Sequence, residues 1–158
     1  MCIRDSGYLG LGELFVFVFF GLVAVNGTAL AITGRPSWAA LLASVAIGLL
    51  AVALMLTNNL RDIPTDAASG KRTLAVRLGE RGTRLLYTTT LLAPFVLMVP
   101  VIIAHRPAAL VLLALPLALG PVRKVLGGTG GRDLIPVLGA TGRLELVFSL
   151  LLLVGLVL

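Results

Sequence analysis

Five long apolar segments constrain this sequence more than any other feature. They run from about Leu14 to Ile32, Trp38 to Thr57, Leu85 to Ala104, Ala108 to Val122 and Leu144 to Leu158. The first three are close to the roughly 20 residues that an α-helix needs to cross a bilayer, and the last two are shorter. Because lipid offers the backbone no hydrogen-bond partners, the segments are predicted to be helices. The predicted fold class is therefore all-α, a polytopic bundle of transmembrane helices.

The composition excludes a soluble globular domain. Hydrophobic residues make up 58% of the chain and charged residues only 13%, whereas soluble domains carry about a quarter charged residues. The net charge is +6, but the basic residues lie between the apolar segments and form no stripe, so no nucleic-acid partner is predicted. The single cysteine, Cys2, excludes an internal disulfide.

The distribution of Lys and Arg predicts the orientation in the membrane. Cytoplasmic loops are the ones rich in these residues. With five spans, the N-terminus and the loops 58–84 and 123–143 share one side, and the other side holds only Arg35 and Arg106. We therefore expect a cell-membrane protein with the basic loops in the cytoplasm and the C-terminus outside. The basic side carries Arg4, Arg61, Lys71, Arg72, Arg77, Arg81, Arg84, Arg123, Lys124, Arg132 and Arg143.

A polar stretch, "NNLRDIPTDAASGKR", follows the second apolar segment. Asp62 and Asp66 are four residues apart, which places both carboxylates on one face of a helix. Asn58 and Asn59 lie on the same broad face. Carboxylate and amide oxygens are hard donors suited to Mg²⁺, which commonly takes one or two carboxylates together with substrate phosphate oxygens.

Three cations complete this stretch. Arg61, Lys71 and Arg72 are close enough in sequence to meet the charge of a phosphate group. The whole set is therefore a candidate metal–diphosphate site at the membrane boundary. Pro64 lies between the two aspartates and predicts a break in the helix there. Spacing alone leaves a second interpretation open, namely a solvated helix end with a positive-inside flank.

The same stretch carries a family resemblance. "NNLRDIPTDAASGKRTLAVRLGE", residues 58–80, resembles the second aspartate-rich motif of the UbiA-type membrane prenyltransferases. It is most similar to the branch that acts on 1,4-dihydroxy-2-naphthoate in menaquinone synthesis. "GYLGLGELFVFVFFG", residues 7–21, resembles the loop and helix start upstream of that motif.

The resemblance implies a fold and an activity. Such enzymes are bundles of nine transmembrane helices in which two aspartate-rich motifs bind Mg²⁺ and a polyprenyl diphosphate, and the prenyl group passes to an aromatic acid. By position, Asp62 and Asp66 would hold Mg²⁺ and serve as the catalytic pair. The implied contacts to the diphosphate or the aromatic ring are Asn58, Asn59, Arg61, Lys71 and Arg72.

The chain also departs from the family pattern. It contains no first aspartate-rich motif, and its five segments correspond to the last five of nine. Its first six residues, "MCIRDS", do not resemble the family and are interpreted as a non-native leader. We therefore expect residues 7–158 to be the C-terminal part of one prenyltransferase domain, without activity on its own.

Other functions remain to be weighed against this one. The acceptor could be another aromatic compound, such as 4-hydroxybenzoate or homogentisate. A CDP-alcohol phosphotransferase would need Asp-Gly and Ala-Arg elements that do not surround Asp62 and Asp66. A transporter fragment would place charged residues near the middle of the membrane, whereas here they lie at the segment ends.

A few residues outside the polar stretch carry separate predictions. Asn26, inside the first segment, is expected to make a helix–helix hydrogen bond. The glycine run at 127–131 is predicted to be a flexible connector. Arg132 and Asp133 are expected to form a surface ion pair. Glu13, at the start of the first segment, is assigned no role.

Overall fold

The computed structural model describes residues 10–158, and every regular element in that range is helical. Five helical spans are long and apolar enough to cross a membrane: α1 (Gly12–Thr33), α2 (Trp38–Ala68), α3 (Leu74–Ala104), α4 (Arg106–Leu126) and α5 (Gly131–Val157). The predicted all-α bundle with five spans is confirmed. The predictions for the leader 1–6, Cys2 and Arg4 lie outside the described residues.

Four of the spans are not uniform α-helices. The middle of α1, Phe17–Asn26, is π-helical. The third span divides into Leu74–Leu97 and Val99–Ala104. The fourth opens with a 3₁₀ segment, Arg106–Ala114, and the fifth with another, Gly131–Leu134.

The second span is much longer than predicted. It does not end at Thr57 but continues through Pro64 to Ala68, 31 residues in all. At 1.5 Å per residue it is about 46 Å long, well beyond the ~30 Å hydrocarbon core. The predicted break at Pro64 is wrong: the missing N–H removes one bond to the carbonyl of Leu60, and the helix continues past it.

The starts of two other spans were predicted too far along the chain. The third span begins at Leu74 rather than Leu85, with a kink at Gly79, whose φ of 67° is outside the helical range. The fifth begins at Gly131 rather than Leu144, so Arg143 lies within α5 and not in a loop. Hydropathy marks where apolar residues end, but a helix continues wherever its backbone bonds can form.

The first two spans pack antiparallel and very closely. A Cβ on Gly21 would lie 2.6 Å from the Cα of Gly48 and 2.8 Å from the carbonyl oxygen of Ser44. Nearby, Asn26 Nδ2 donates to Ser44 Oγ at 2.6 Å, which confirms the helix–helix hydrogen bond predicted for Asn26. Small residues that let backbones approach, with polar side chains bridging them, are typical of membrane helix pairs.

The third and fifth spans meet in the interior of the bundle. Tyr87 is fully buried, and its hydroxyl lies 2.7 Å from Thr141 Oγ1. Because Thr141 donates its own proton to the carbonyl of Val137, the tyrosine hydroxyl is the donor of this pair. Phe95 and Phe148 pack edge to face, with centroids 5.3 Å apart.

Contacts near the ends of the spans place the chain reversals at two opposite ends of the bundle. At one end a Cβ on Gly10 would lie 2.9 Å from the carbonyl oxygen of Arg72, and at the other a Cβ on Gly155 would lie 2.6 Å from that of Pro107. Lys and Arg remain segregated even without Arg143, since only Arg35 and Arg106 lie at the second end. The first end carries Arg61, Lys71, Arg72, Arg77, Arg81, Arg84, Arg123, Lys124 and Arg132.

Candidate active site

The last turns of α2 hold the predicted site residues on one helix. Asp62 and Asp66 are one turn apart, about 6 Å along the axis, and the helix between them is unbroken. Asn59 precedes them by three and seven residues and therefore shares their face. Asn58 lies at the edge of this face and is exposed. The continuous helix supports the sequence-based prediction that both carboxylates point to the same side.

Gly70 ends α2 and returns the chain toward the aspartates. Its φ is 74°, a left-handed conformation that glycine adopts without strain. The N–H of Lys71 bonds to the carbonyl of Asp66 at 2.9 Å, and the N–H of Gly70 bonds to that of Ala67 at 3.2 Å. These two bonds form a Schellman cap, and they place Lys71 directly beside the end of the helix.

Each aspartate is paired with a cation. Arg61 donates from Nε and Nη2 to the two oxygens of Asp62, each at 2.7 Å. Lys71 Nζ lies 3.4 Å from Asp66 Oδ1. Asp62 has a side-chain exposure of 36% and Asp66 of only 12%, so the second carboxylate is the more enclosed. Of the predicted site cations, Arg72 is exposed.

Glu13 is the site residue that the sequence did not reveal. It lies in the first turn of α1, is 6% exposed, and accepts a hydrogen bond through Oε1 from Asn59 Nδ2 at 2.8 Å. The sequence analysis assigned Glu13 no role, and the structure places it in contact with Asn59. An acidic residue at the start of an apolar span is itself a functional signal, because buried ionisable groups in membrane proteins are costly.

The donor set fits a cation held by two carboxylates. Asp66 Oδ2 is buried and has no hydrogen-bond partner among the residues that the structure describes, so it has lone pairs free for a cation or a donor. Across residues 10–158, no group of three or more His, Cys, Asp or Glu side chains could hold a metal ion. A cation here would therefore rest on Asp62, Asp66, nearby amide oxygens and the ligand itself, the pattern that Mg²⁺ accepts.

A second loop at this end is held by a buried arginine. Arg84 Nη1 donates to the carbonyls of Val125 at 2.6 Å and Thr129 at 2.8 Å, and Nη2 donates to that of Gly128 at 3.3 Å. The glycine run 127–131 was predicted to be a flexible connector, but its backbone is bound by this side chain. Arg132 and Asp133 are both exposed, as expected of a surface pair. The ion pairs of the described residues do not include the one predicted between them.

The chain matches a known protein family over most of its length. The sequence pattern of the UbiA prenyltransferase family matches residues 6–132. This chain belongs to the UbiA prenyltransferase family. The aspartates, their cations and Glu13 all lie inside the matched region.

The sequences of individual relatives match most of the chain. The 1,4-dihydroxy-2-naphthoate octaprenyltransferase of Mycobacterium tuberculosis (strain ATCC 25618 / H37Rv) is 49% identical over 147 residues, which is 93% of this chain and 50% of the relative. The enzyme of the same name from Escherichia coli (strain K12) is 36% identical over 155 residues, 96% of this chain and 50% of the relative.

A more distant relative differs in its name. The 2-carboxy-1,4-naphthoquinone phytyltransferase of Synechocystis sp. (strain ATCC 27184 / PCC 6803 / Kazusa) is 27% identical over 122 residues, 75% of this chain and 40% of the relative. The chain thus spans about half the length of the relatives from Mycobacterium tuberculosis and Escherichia coli. No solved structure matches it significantly.

Proposed function

We propose that this chain forms part of a membrane enzyme that transfers a polyprenyl group from polyprenyl diphosphate to 1,4-dihydroxy-2-naphthoate. The allylic C–O bond to the diphosphate breaks, a C–C bond forms to the ring, and the ring carboxylate leaves as CO₂, giving demethylmenaquinol, the reduced form of demethylmenaquinone. The observation that carries the proposal is the pairing of Asp62 and Asp66 with Arg61 and Lys71 at one end of an apolar bundle. Such a site suits a substrate with an ionic head and a lipid tail.

The roles of the residues follow from their charges. Asp62 and Asp66 would hold Mg²⁺, which when bound neutralises the charge that develops on the leaving diphosphate. Arg61 and Lys71 neutralise the two carboxylates in the structure, and in the complex they would meet phosphate oxygens. Arginine does so through a planar fork and lysine through a point charge. Preorganised cations of this kind stabilise a departing anion without reorganisation.

The names of the relatives support the acceptor more than the donor. Those from Mycobacterium tuberculosis and Escherichia coli name a naphthoate, and the one from Synechocystis names a carboxy-naphthoquinone. The ring system with its carboxylate is common to all three, whereas the transferred group is octaprenyl in two and phytyl in the third. We therefore assign a naphthoate acceptor and leave the length of the prenyl chain open.

The location follows from the segregation of charge. The site end of the bundle carries the loops rich in Lys and Arg, which by the positive-inside rule face the cytoplasm. In this orientation a water-soluble aromatic acid reaches Asp62 and Asp66 from the cytoplasm, and the prenyl tail lies among the helices. Tagging the C-terminus with a reporter active only outside the cytoplasm tests this orientation. A silent reporter would indicate the opposite orientation, with the C-terminus in the cytoplasm.

The decisive experiment is prenyl transfer by the protein expressed from its complete coding sequence. Wild-type protein in detergent, given polyprenyl diphosphate, Mg²⁺ and dihydroxynaphthoate, is expected to form demethylmenaquinol, detected by chromatography as demethylmenaquinone after oxidation in air. Asp62→Ala and Asp66→Ala should each lower the rate at least ~100-fold, since they remove a proposed metal ligand. Asp133→Ala, an exposed aspartate at the same end, is the matched control and should retain the wild-type rate. Near-normal turnover by Asp62→Ala would refute the metal role.

The same assay separates the remaining alternatives. Product from 4-hydroxybenzoate or homogentisate, with none from dihydroxynaphthoate, would change the acceptor but keep the reaction. Flux of a solute through proteoliposomes, with no transfer to any acceptor, would instead favour a transporter. The 158-residue chain by itself is expected to be inactive, since Asp62 and Asp66 are half of the acid set that the family resemblance implies. Turnover by the isolated chain would contradict this.

A further inference from the structure

Glu13 is a buried acidic side chain in the part of the chain that the structure describes. It is 6% exposed, its Oε1 accepts a hydrogen bond from Asn59, and its Oε2 is buried without a partner among residues 10–158. The ion pairs found in the described chain do not involve it. Burying a carboxyl group in this way is unfavourable. The hydrogen bond with Asn59 offsets part of that cost and is the contact that the position of Glu13 makes possible.

The hydrogen bond dictates how the Asn59 amide is turned. Asn59 Nδ2 donates to Glu13 Oε1 at 2.8 Å, so the amide presents its NH₂ group to Glu13. The carbonyl oxygen of Asn59 is then directed away from Glu13. Since Asn59 shares a helix face with Asp62 and Asp66, this leaves an amide oxygen next to two carboxylates, all of them ligands of the kind that Mg²⁺ prefers.

We propose that Glu13 is a positioning residue. It fixes the amide of Asn59 so that the carbonyl oxygen, rather than the NH₂ group, faces the metal ion and diphosphate that Asp62 and Asp66 would bind. The proposal rests on the proposed function, since it concerns the same metal–diphosphate site. Glu13 is not itself assigned as a metal ligand, because the described residues hold no group of three acidic, His or Cys side chains that could share an ion.

Close backbone packing holds Glu13 in this place. A Cβ on the preceding residue, Gly12, would collide with the side chain of Met55, which lies one turn before Asn59 on α2. Gly10, with a φ of 71°, approaches the backbone around Arg72. The chain therefore enters α1 in contact with both sides of the site, and Glu13 is carried against Asn59 by these contacts.

A double-mutant cycle tests the proposal in the protein expressed from its complete coding sequence. Glu13→Gln, Asn59→Ala and the double variant are compared for Mg²⁺-dependent binding of a prenyl thiodiphosphate, followed by calorimetry, and for prenyl transfer. Partners that orient metal ligands typically matter 10–100-fold, so each single variant should weaken binding by roughly that factor. If Glu13 acts through Asn59, the double variant is no weaker than the worse single variant.

Other outcomes overturn the proposal. If the losses of affinity in the two single variants multiply in the double variant, Glu13 does not act through Asn59. Binding by Glu13→Gln within about twofold of wild type would lead to the same conclusion. Glu80→Gln is the matched control, because Glu80 lies at the same end with a 63% exposed side chain, and it should bind as wild type does. A loss in Glu80→Gln equal to that in Glu13→Gln would remove the specificity on which the proposal depends.

Thermal unfolding without ligand separates positioning from folding. Glu13→Gln should unfold within a few degrees of wild type while its binding is impaired. If it fails to fold, Glu13→Asp replaces it in the cycle, and its smaller loss should likewise disappear in the Asn59→Ala background; independent losses count against the proposal. If the wild-type protein binds the thiodiphosphate but transfers no prenyl group to dihydroxynaphthoate, only the proposed function is refuted. If the wild-type protein transfers the prenyl group normally but the losses of affinity in the two single variants multiply in the double variant, only the role of Glu13 is refuted.

Discussion

Replacing Arg84 by alanine removes a buried guanidinium that binds the end of α4. Arg84 is 9% exposed. It donates to the carbonyls of Val125, Gly128 and Thr129, groups that no longer have helical partners once α4 ends. In Arg84→Ala the carbonyls of Gly128 and Thr129 lose this donor, and the buried carbonyl of Val125 keeps only the N–H of Gly128 at 3.3 Å.

The magnitude follows from the two shortest bonds. A hydrogen bond with a charged partner contributes roughly 1.5–3 kcal/mol, and the bonds to Val125 and Thr129, at 2.6 and 2.8 Å, qualify. The pair with Glu80 is at an exposed carboxylate and adds little. Since water can reach Thr129 after the substitution, the net loss should be about 3 kcal/mol. That corresponds to a fall in the unfolding midpoint of about 6–12 °C for a chain of this size.

Thermal unfolding in detergent, followed by the fluorescence of Trp38 or by circular dichroism, measures this loss. Arg81→Ala is the matched control, because Arg81 is an exposed arginine one turn earlier on the same helix, and its midpoint should shift by less than about 1 °C. Arg84→Lys should recover only part of the stability, since an ammonium group cannot span several carbonyls as the planar guanidinium does. Equal midpoints for Arg84→Ala and Arg81→Ala would refute the reasoning.

Two further predictions concern packing between the spans. Tyr87→Phe deletes the bond to Thr141 but leaves the threonine bonded within its own helix, so a loss of about 1 kcal/mol is expected in the same assay, and no change would show that the bond is not formed. Gly21→Ala should destabilise clearly because its Cβ meets the backbone of Gly48. Gly27→Ala, whose Cβ meets nothing within 4 Å, should be neutral or stabilising through helix propensity. Equal effects of the two glycine substitutions would argue against close packing of α1 on α2.

Part of the site could be predicted from the sequence because it is local. The spacing of Asp62 and Asp66 predicts a shared face on any continuous helix, and the structure has such a helix. Pro64 misled the prediction, since a proline removes one hydrogen bond and that loss does not by itself end a helix supported by many others. Helix ends were misplaced for a related reason, because apolar content reports burial in lipid and not backbone hydrogen bonding.

The sequence by itself determined the five spans, the segregation of Lys and Arg, and the grouping of asparagines and aspartates after the second span. These are patterns of period and composition, which one stretch of chain carries alone. Only the tertiary structure decided that Glu13 lies against Asn59, 46 residues away, and that Arg84 binds the carbonyls of the glycine run more than 40 residues away. The physical reason is that such contacts depend on how closely whole helices approach, as at Gly21 and Gly48, and no local pattern specifies that distance.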